Sequence, residues 1–254
     1  MNRLFLFLKE ADIGSLVYII CSDTARVGKT LLARVFAATM ALRHDNNPLI
    51  FDTDLSGNGI INYLPDKTSL IDLSKVADQV AMFDTMIEAN QNQDSGVVSC
   101  PPTIPAQDFV IDLAASELRR FFAIFNDIGF ERGSVEAGLE VRIYYLVSWT
   151  LKSLQTCDKI ASKLTASRFF AVRNMAIDAF AFTPDPLERS EVPEINISLF
   201  LNKLSPAAFA IVNEHWFSFS TFVSGGYKGL ERNVRREIWK FLEDIYNQTN
   251  AGVL

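Results

Sequence analysis

Three consecutive residues, Gly28-Lys29-Thr30, carry the most legible chemistry in this chain. They stand where "SLVYIICS" (15–22), a β-branched run that is apolar on both faces, gives way to a stretch with Leu31, Leu32, Val35, Phe36, Thr39 and Met40 at helical spacing. A strand that turns into a helix at Gly-Lys-Thr is an anion site, because N–H groups of the turn and the first helical residues point outward. For a nucleoside triphosphate this puts Lys29 on the β- and γ-phosphates and the Thr30 hydroxyl on magnesium. Gly28 lets the main chain approach the phosphates where a Cβ would clash. The full phosphate-loop pattern, G-x-x-x-x-G-K-[ST], is broken at its first position, which holds Asp23.

Three further segments carry polar residues at the ends of apolar runs. "PLIFDTD" (48–54) delivers Asp52 and Asp54, "DFVIDLAAS" (108–116) delivers Asp112, and "FFAVRNMA" (169–176) delivers Asn174. Carboxylates at strand ends suit a magnesium ion and an attacking water, although a strand-terminal Asp also caps turns. Asn174 reads equally as a turn residue.

The order and spacing of these four segments resemble the ParA/MinD family of partitioning and positioning ATPases. "TARVGKT" (24–30) aligns without a gap on that family's K-G-G-x-G-K-T loop, and "FDTDLSGN" (51–58) is similar to its I-D-x-D-x-x-x-N motif. The resemblance covers residues 16–176 and implies a P-loop NTPase type of fold. It implies phosphate binding by Thr24, Ala25, Arg26, Val27, Gly28, Lys29, Thr30 and Leu31, and adenine reading by Asn174. Magnesium falls to Thr30, Asp52 and Asp112, with Asp112 acting indirectly, and Asp54 orients the attacking water. The activity implied is slow, magnesium-dependent ATP hydrolysis by a nucleotide-switched homodimer; separately, an odd cysteine count without C-x-x-C spacing points to a reducing cytoplasm. Thr24 stands where the family has its signature lysine, and Ala25 and Arg26 replace two glycines. Arg26 can supply the missing charge to its own nucleotide or to a partner's, or point into solvent.

Two other readings stay open: an interaction module that keeps the fold without turnover, and a ligase. "SDTARVGKT" (22–30) is similar to the T-D-T-x-V-G-K-T loop of dethiobiotin synthetase with one residue added. That chemistry needs a substrate-binding lysine after the second strand, where Lys67 is the one on offer.

The elements that position these residues alternate. Strands are expected at 15–22, 48–54, 108–116, 140–148 and 167–176, a short extended piece before a helix at about 74–90, and helices at 29–45, 117–130 and 150–164. Alternation of this kind predicts an α/β domain with a mainly parallel sheet and helices on both faces. Residues 92–107 and 183–193 read as Pro-rich connectors. "INISLFL", "SPAAFAIVNEHWF" and a final helix at about 229–247 fill a C-terminal region (194–254) of the same single domain, 1–254.

With 254 residues, 49% hydrophobic and 21% charged, the chain is long enough for a sizeable core. A net charge of −6 argues against an overall basic surface for nucleic acid. Lys228, Arg232, Arg235, Arg236 and Lys240 nevertheless form a local basic cluster on the last helix. The plainer reading is a terminal helix docked on the sheet with a solvated basic side; of the two functional readings, non-specific DNA binding is preferred over a membrane surface, because the basic residues precede the apolar stripe. No apolar run of about 18 residues occurs. The three cysteines lack C-x-x-C spacing, and with two histidines they give little support to zinc.

Overall fold

All six residues of Leu16–Cys21 (β1) are buried, as expected of a strand covered on both faces. The computed structural model describes residues 14–43, 47–91, 107–148, 150–177 and 193–251. After β1 come α1 (Lys29–Arg43), β2 (Leu49–Asp52), β3 (Thr68–Leu70), α2 (Val76–Gln91) and β4 (Phe109–Asp112). Then follow α3 (Leu118–Asp127), α4 (Phe130–Glu136), β5 (Glu140–Leu146), α5 (Leu151–Ala161) and β6 (Arg168–Asn174). The chain closes with β7 (Ile197–Leu201), α6 (Pro206–Val212), α7 (Phe219–Val223) and α8 (Arg232–Ala251).

Among the described residues the strands form one seven-stranded sheet in the order β3-β2-β4-β1-β5-β6-β7. Every pairing is parallel. The period-2 alternation of β1 divides the core. Leu16, Tyr18 and Ile20 face one side, where α1, α6, α7 and α8 pack. Val17, Ile19 and Cys21 face the other, where α2 to α5 pack. The expected α/β architecture with helices on both faces is the one observed.

The helix that follows β1 is buried nearly all round. Leu32, Ala33, Val35, Phe36, Ala37, Ala38 and Met40 are all in the core, because α1 lies between the sheet and α7. Its alanines let the layers approach closely, and Phe36 alone contributes about 2–3 kcal/mol by burial. On α8 the apolar face, Ile238, Phe241, Leu242 and Ile245, is likewise in the core.

Two short helices were not legible in the sequence. α4 has only Phe130 and Ser134 buried, and α7 is five residues long, started by Ser218 Oγ accepting from Thr221 N at 3.3 Å. The segment read as one piece over 205–217 is a helix only to Val212. The connector over 92–106, most of 183–193, His44 and Cys100 lie outside the described residues. No helix among the described residues is long and apolar enough to cross a membrane.

Candidate functional site

Residues 22–28 must carry the chain from the end of β1 into α1. Ser22 Oγ holds the start of this loop, donating to the Leu146 carbonyl at 2.7 Å and accepting from Thr24 N at 3.1 Å. Asp23, which occupies the glycine position of the phosphate-loop pattern, turns sideways. Its Oδ1 accepts from the Tyr145 hydroxyl at 2.8 Å, and burial keeps that phenol protonated by raising it far above its ordinary range. Thr24 Oγ1 sits 2.9 Å from Ser148 Oγ and 3.2 Å from Asp23 Oδ1. The Asp23 carboxylate is therefore anchored beneath the loop and contributes nothing to the cleft wall.

Gly28 is required by a neighbour inside the protein. Its φ is +100°, and a Cβ there would lie 2.6 Å from Asn174 Nδ2. That amide donates to the Val27 carbonyl at 3.0 Å, and Asn174 Oδ1 accepts from Ala176 N at 2.9 Å. Asn174 thus ties the end of β6 to the loop. Val27 is itself buried in the core. Arg26 is exposed on the cleft wall with φ 61°, a left-handed conformation that costs a non-glycine residue about 1–2 kcal/mol. Lys29 is 9% exposed, and its Nζ donates back to the Thr24 carbonyl at 3.1 Å. Burial lowers its pKa, while the Asp112 carboxylate works in the other direction.

The three aspartates differ in what their oxygens do. Asp112 ends β4 beside β1, and its Oδ2 accepts from the Thr30 hydroxyl at 2.7 Å. Burial pushes its carboxyl up to about 7, against the Thr30 hydrogen bond and helped by the charge of Asp52. Asp52 is fully buried. Its Oδ1 accepts from Asp54 N at 2.9 Å and its Oδ2 from Ile61 N at 3.0 Å. Burial raises its pKa too, and those two backbone bonds oppose the rise. The 59–61 turn can close over this carboxylate because residue 59 is glycine: a Cβ would stand 2.1 Å from Asp52 Oδ2. Asp52 consequently lies behind the cleft wall. Asp54 is on the wall, its Oδ1 accepting from Ser56 N at 2.9 Å.

These side chains meet in a cavity of about 800 Å³, within the range of small-molecule sites. It lies beyond the carboxyl ends of β1, β4, β6 and β7, and Ala25, Arg26, Gly28, Lys29, Thr30, Leu31, Asp54, Asp112 and Asn174 line it. The connection leaving β1 runs toward β2, and the one leaving β4 crosses β1 to reach β5. Adjacent strands whose connections part in this way make the crevice where parallel α/β sheets place ligands. Among the described residues no group of three or more His, Cys, Asp or Glu side chains is placed to hold a metal ion. A hydroxyl and a carboxylate, Thr30 and Asp112, do fit magnesium, which takes its other ligands from phosphates and water.

Sequence reasoning missed Arg34, one helical turn beyond Thr30. It is 4% exposed, lines the cavity, and donates from Nη2 to the Phe217 carbonyl at 2.9 Å. Its guanidinium lies 3.7 Å from the centre of the Tyr63 ring. Burial lowers it to about 10, against the pull of the Tyr63 and Tyr227 phenols. A lone charge inside "LLARVFAA" was the available signal. Tyr63 in turn stacks on His215 and donates to Asn213 Oδ1 at 3.1 Å, so Arg34 joins α1 to both loops on the far side of the cleft.

Other expected residues are not brought to the cleft. Lys67 is exposed and donates to Asn47 Oδ1 at 2.7 Å, away from the cavity walls. Of the C-terminal basic cluster, Lys228, Arg232, Arg236 and Lys240 are exposed. Arg235 is half-buried, donating to the carbonyls of Gly226 and Tyr227. No protein-family model matches this chain, and no curated protein matches it in sequence.

Proposed function

We propose that this chain binds magnesium-ATP in the β1–β4 crevice and hydrolyses it slowly as a nucleotide-switched dimer, in the manner of ParA/MinD-like ATPases. The observation that carries this reading is the juxtaposition of Lys29, Thr30 and Asp112. A cation, a hydroxyl and a carboxylate from two adjacent strand ends share one wall of a large cleft. Lys29 holds the β- and γ-phosphates, Thr30 and Asp112 hold magnesium, and Asp54 orients water from the opposite wall. Bound magnesium spreads the charge that develops on the transferred phosphoryl group. Asn174 and the end of β7 close the side of the cleft left for the base. Arg26, exposed at the rim, is the cation that reaches a second copy's nucleotide in place of the absent lysine.

Light scattering with and without magnesium-ATP tests this directly. A doubling of mass on addition of nucleotide is expected, and a chain that stays monomeric and binds no ATP overturns the proposal. A second reading, binding without turnover, has one observation in its favour: both oxygens of Asp52 are engaged by backbone N–H groups. Phosphate release from the bound dimer separates the two.

A further inference from the structure

On the sheet face opposite α1, helices α3 and α5 lie side by side over an apolar layer. α3 presents Leu118, Phe122 and Asn126 four residues apart, with Arg119 and Ala123 on the adjoining row. α5 presents Thr156 and Ile160 at the same spacing with Lys159 alongside, and the turn after its end adds Lys163 and Leu164. These rows enclose a groove of about 460 Å³. Its depth comes from Ala123, an exposed small residue between longer neighbours. Its floor is apolar: Leu118, Phe122 and Ile160 are buried, and Leu164 is half-buried.

The rim is basic. Arg119, Lys159 and Lys163 are all exposed, and among the described residues none of them takes part in an ion pair. Arg120, by contrast, is held by Glu117 at 2.6 Å. A chain with a net charge of −6 has thus gathered three unpaired cations around one greasy trough.

We infer that the groove between α3 and α5 is a docking site for an acidic amphipathic helix of a protein partner. From Leu118 to Asn126 the α3 wall spans about 12 Å, the length of about two turns of a helix laid beside it. Apolar anchors at i, i+3 or i+4 and i+7 fill the floor, and Glu or Asp on the flanks face Arg119, Lys159 and Lys163. A nucleic acid would use the cations but leave the floor of Leu118, Phe122 and Ile160 without a partner, so the groove favours a peptide. The inference is independent of the nucleotide reading. Both walls begin near the cleft, α3 shortly after Asp112 and α5 at Leu151, its first turn tied back by Ser153 Oγ accepting from Ser148 N at 3.2 Å.

The test is a selection of displayed random peptides about four helical turns long against the full chain. Two variants serve as controls, the triple reversal Arg119→Glu, Lys159→Glu, Lys163→Glu and the groove-filling Ala123→Trp. Both change exposed positions, and circular dichroism verifies their folding. Selected peptides are expected to carry acids beside Leu or Phe at helical spacing. They are expected to bind each variant at least about tenfold more weakly. Peptides without acidic bias, peptides that bind both variants as well as the parent, or no enrichment at all would overturn the inference. So would a duplex oligonucleotide whose binding is lost on charge reversal while Ala123→Trp leaves it intact.

Discussion

The two walls of the cleft are built from residues of similar promise, yet their side chains face different ways. On the wall formed by 22–30, Lys29 and Thr30 reach the cavity, and the misplaced carboxylate of Asp23 is turned under the loop by Tyr145. On the wall formed by 52–63, Asp54 faces the cavity, while Asp52 is drawn inward and covered by the 59–61 turn. One wall thus presents a cation and a hydroxyl to the cavity. The other is organised around a buried carboxyl group of its own. The difference teaches that a motif fixes which groups are near a site, and the donors packed around it, a phenol for Asp23 and backbone N–H groups for Asp52, decide which of them remain available.

The largest expected effect is on the second wall. Asp52→Ala leaves the N–H groups of Asp54 and Ile61 unpaired, at about 1–3 kcal/mol for each. Gly59→Ala forces a Cβ into the same carboxylate, so both variants should unfold at lower urea concentration than the parent. Preserved stability in either would show that Asp52 does not organise the turn.

Asp112 sharpens the contrast through pH. Its carboxyl is held at about 7 in the fold against 3.8 for the ordinary side chain. Between those values the native state keeps a proton that the unfolded state has lost, so stability falls as pH rises through the window. In metal-free buffer, Asp112→Asn should match the parent below about pH 4 and exceed it by ~1–3 kcal/mol above about pH 7. A difference that does not vary with pH would contradict the burial of a titrating Asp112. Urea titrations across this range supply the measurement.

The smallest effect belongs to the first wall. Arg26→Gly removes the left-handed strain and gains up to about 1 kcal/mol, less the added freedom of the unfolded chain. The same variant should lose nucleotide-dependent dimerisation. A stable variant that still dimerises with magnesium-ATP would return Arg26 to a solvent role.

Much of the fold was open to reading in the sequence because β1 and β4 are continuous apolar runs and α1 carries strong helical spacing. α4 and α7 were not legible, since each is short and is fixed by a few aromatic contacts rather than by a periodic run. Phe219 and Phe222, for example, are placed by Phe217 and Trp239. At the site, Lys29, Thr30, Asp54 and Asp112 were identifiable by type and position. The roles of Tyr145, Gly59 and Arg34 were not: Tyr145 acts on the distant Asp23, Arg34 on Tyr63, and Gly59 only through the turn that closes over Asp52, so the fold alone shows what each does. For Arg34 and Tyr63 there is a further reason: a buried arginine stacked on a tyrosine has no spacing rule.

The central claim is that the Gly28-Lys29-Thr30 loop holds a nucleotide, and calorimetric titration of magnesium-ATP into the parent chain and Lys29→Ala tests it most directly. Micromolar-scale binding by the parent, about −8 kcal/mol, and none detectable in the folded variant is the result expected. Equal affinity in the two proteins, or no heat from the parent, would contradict it.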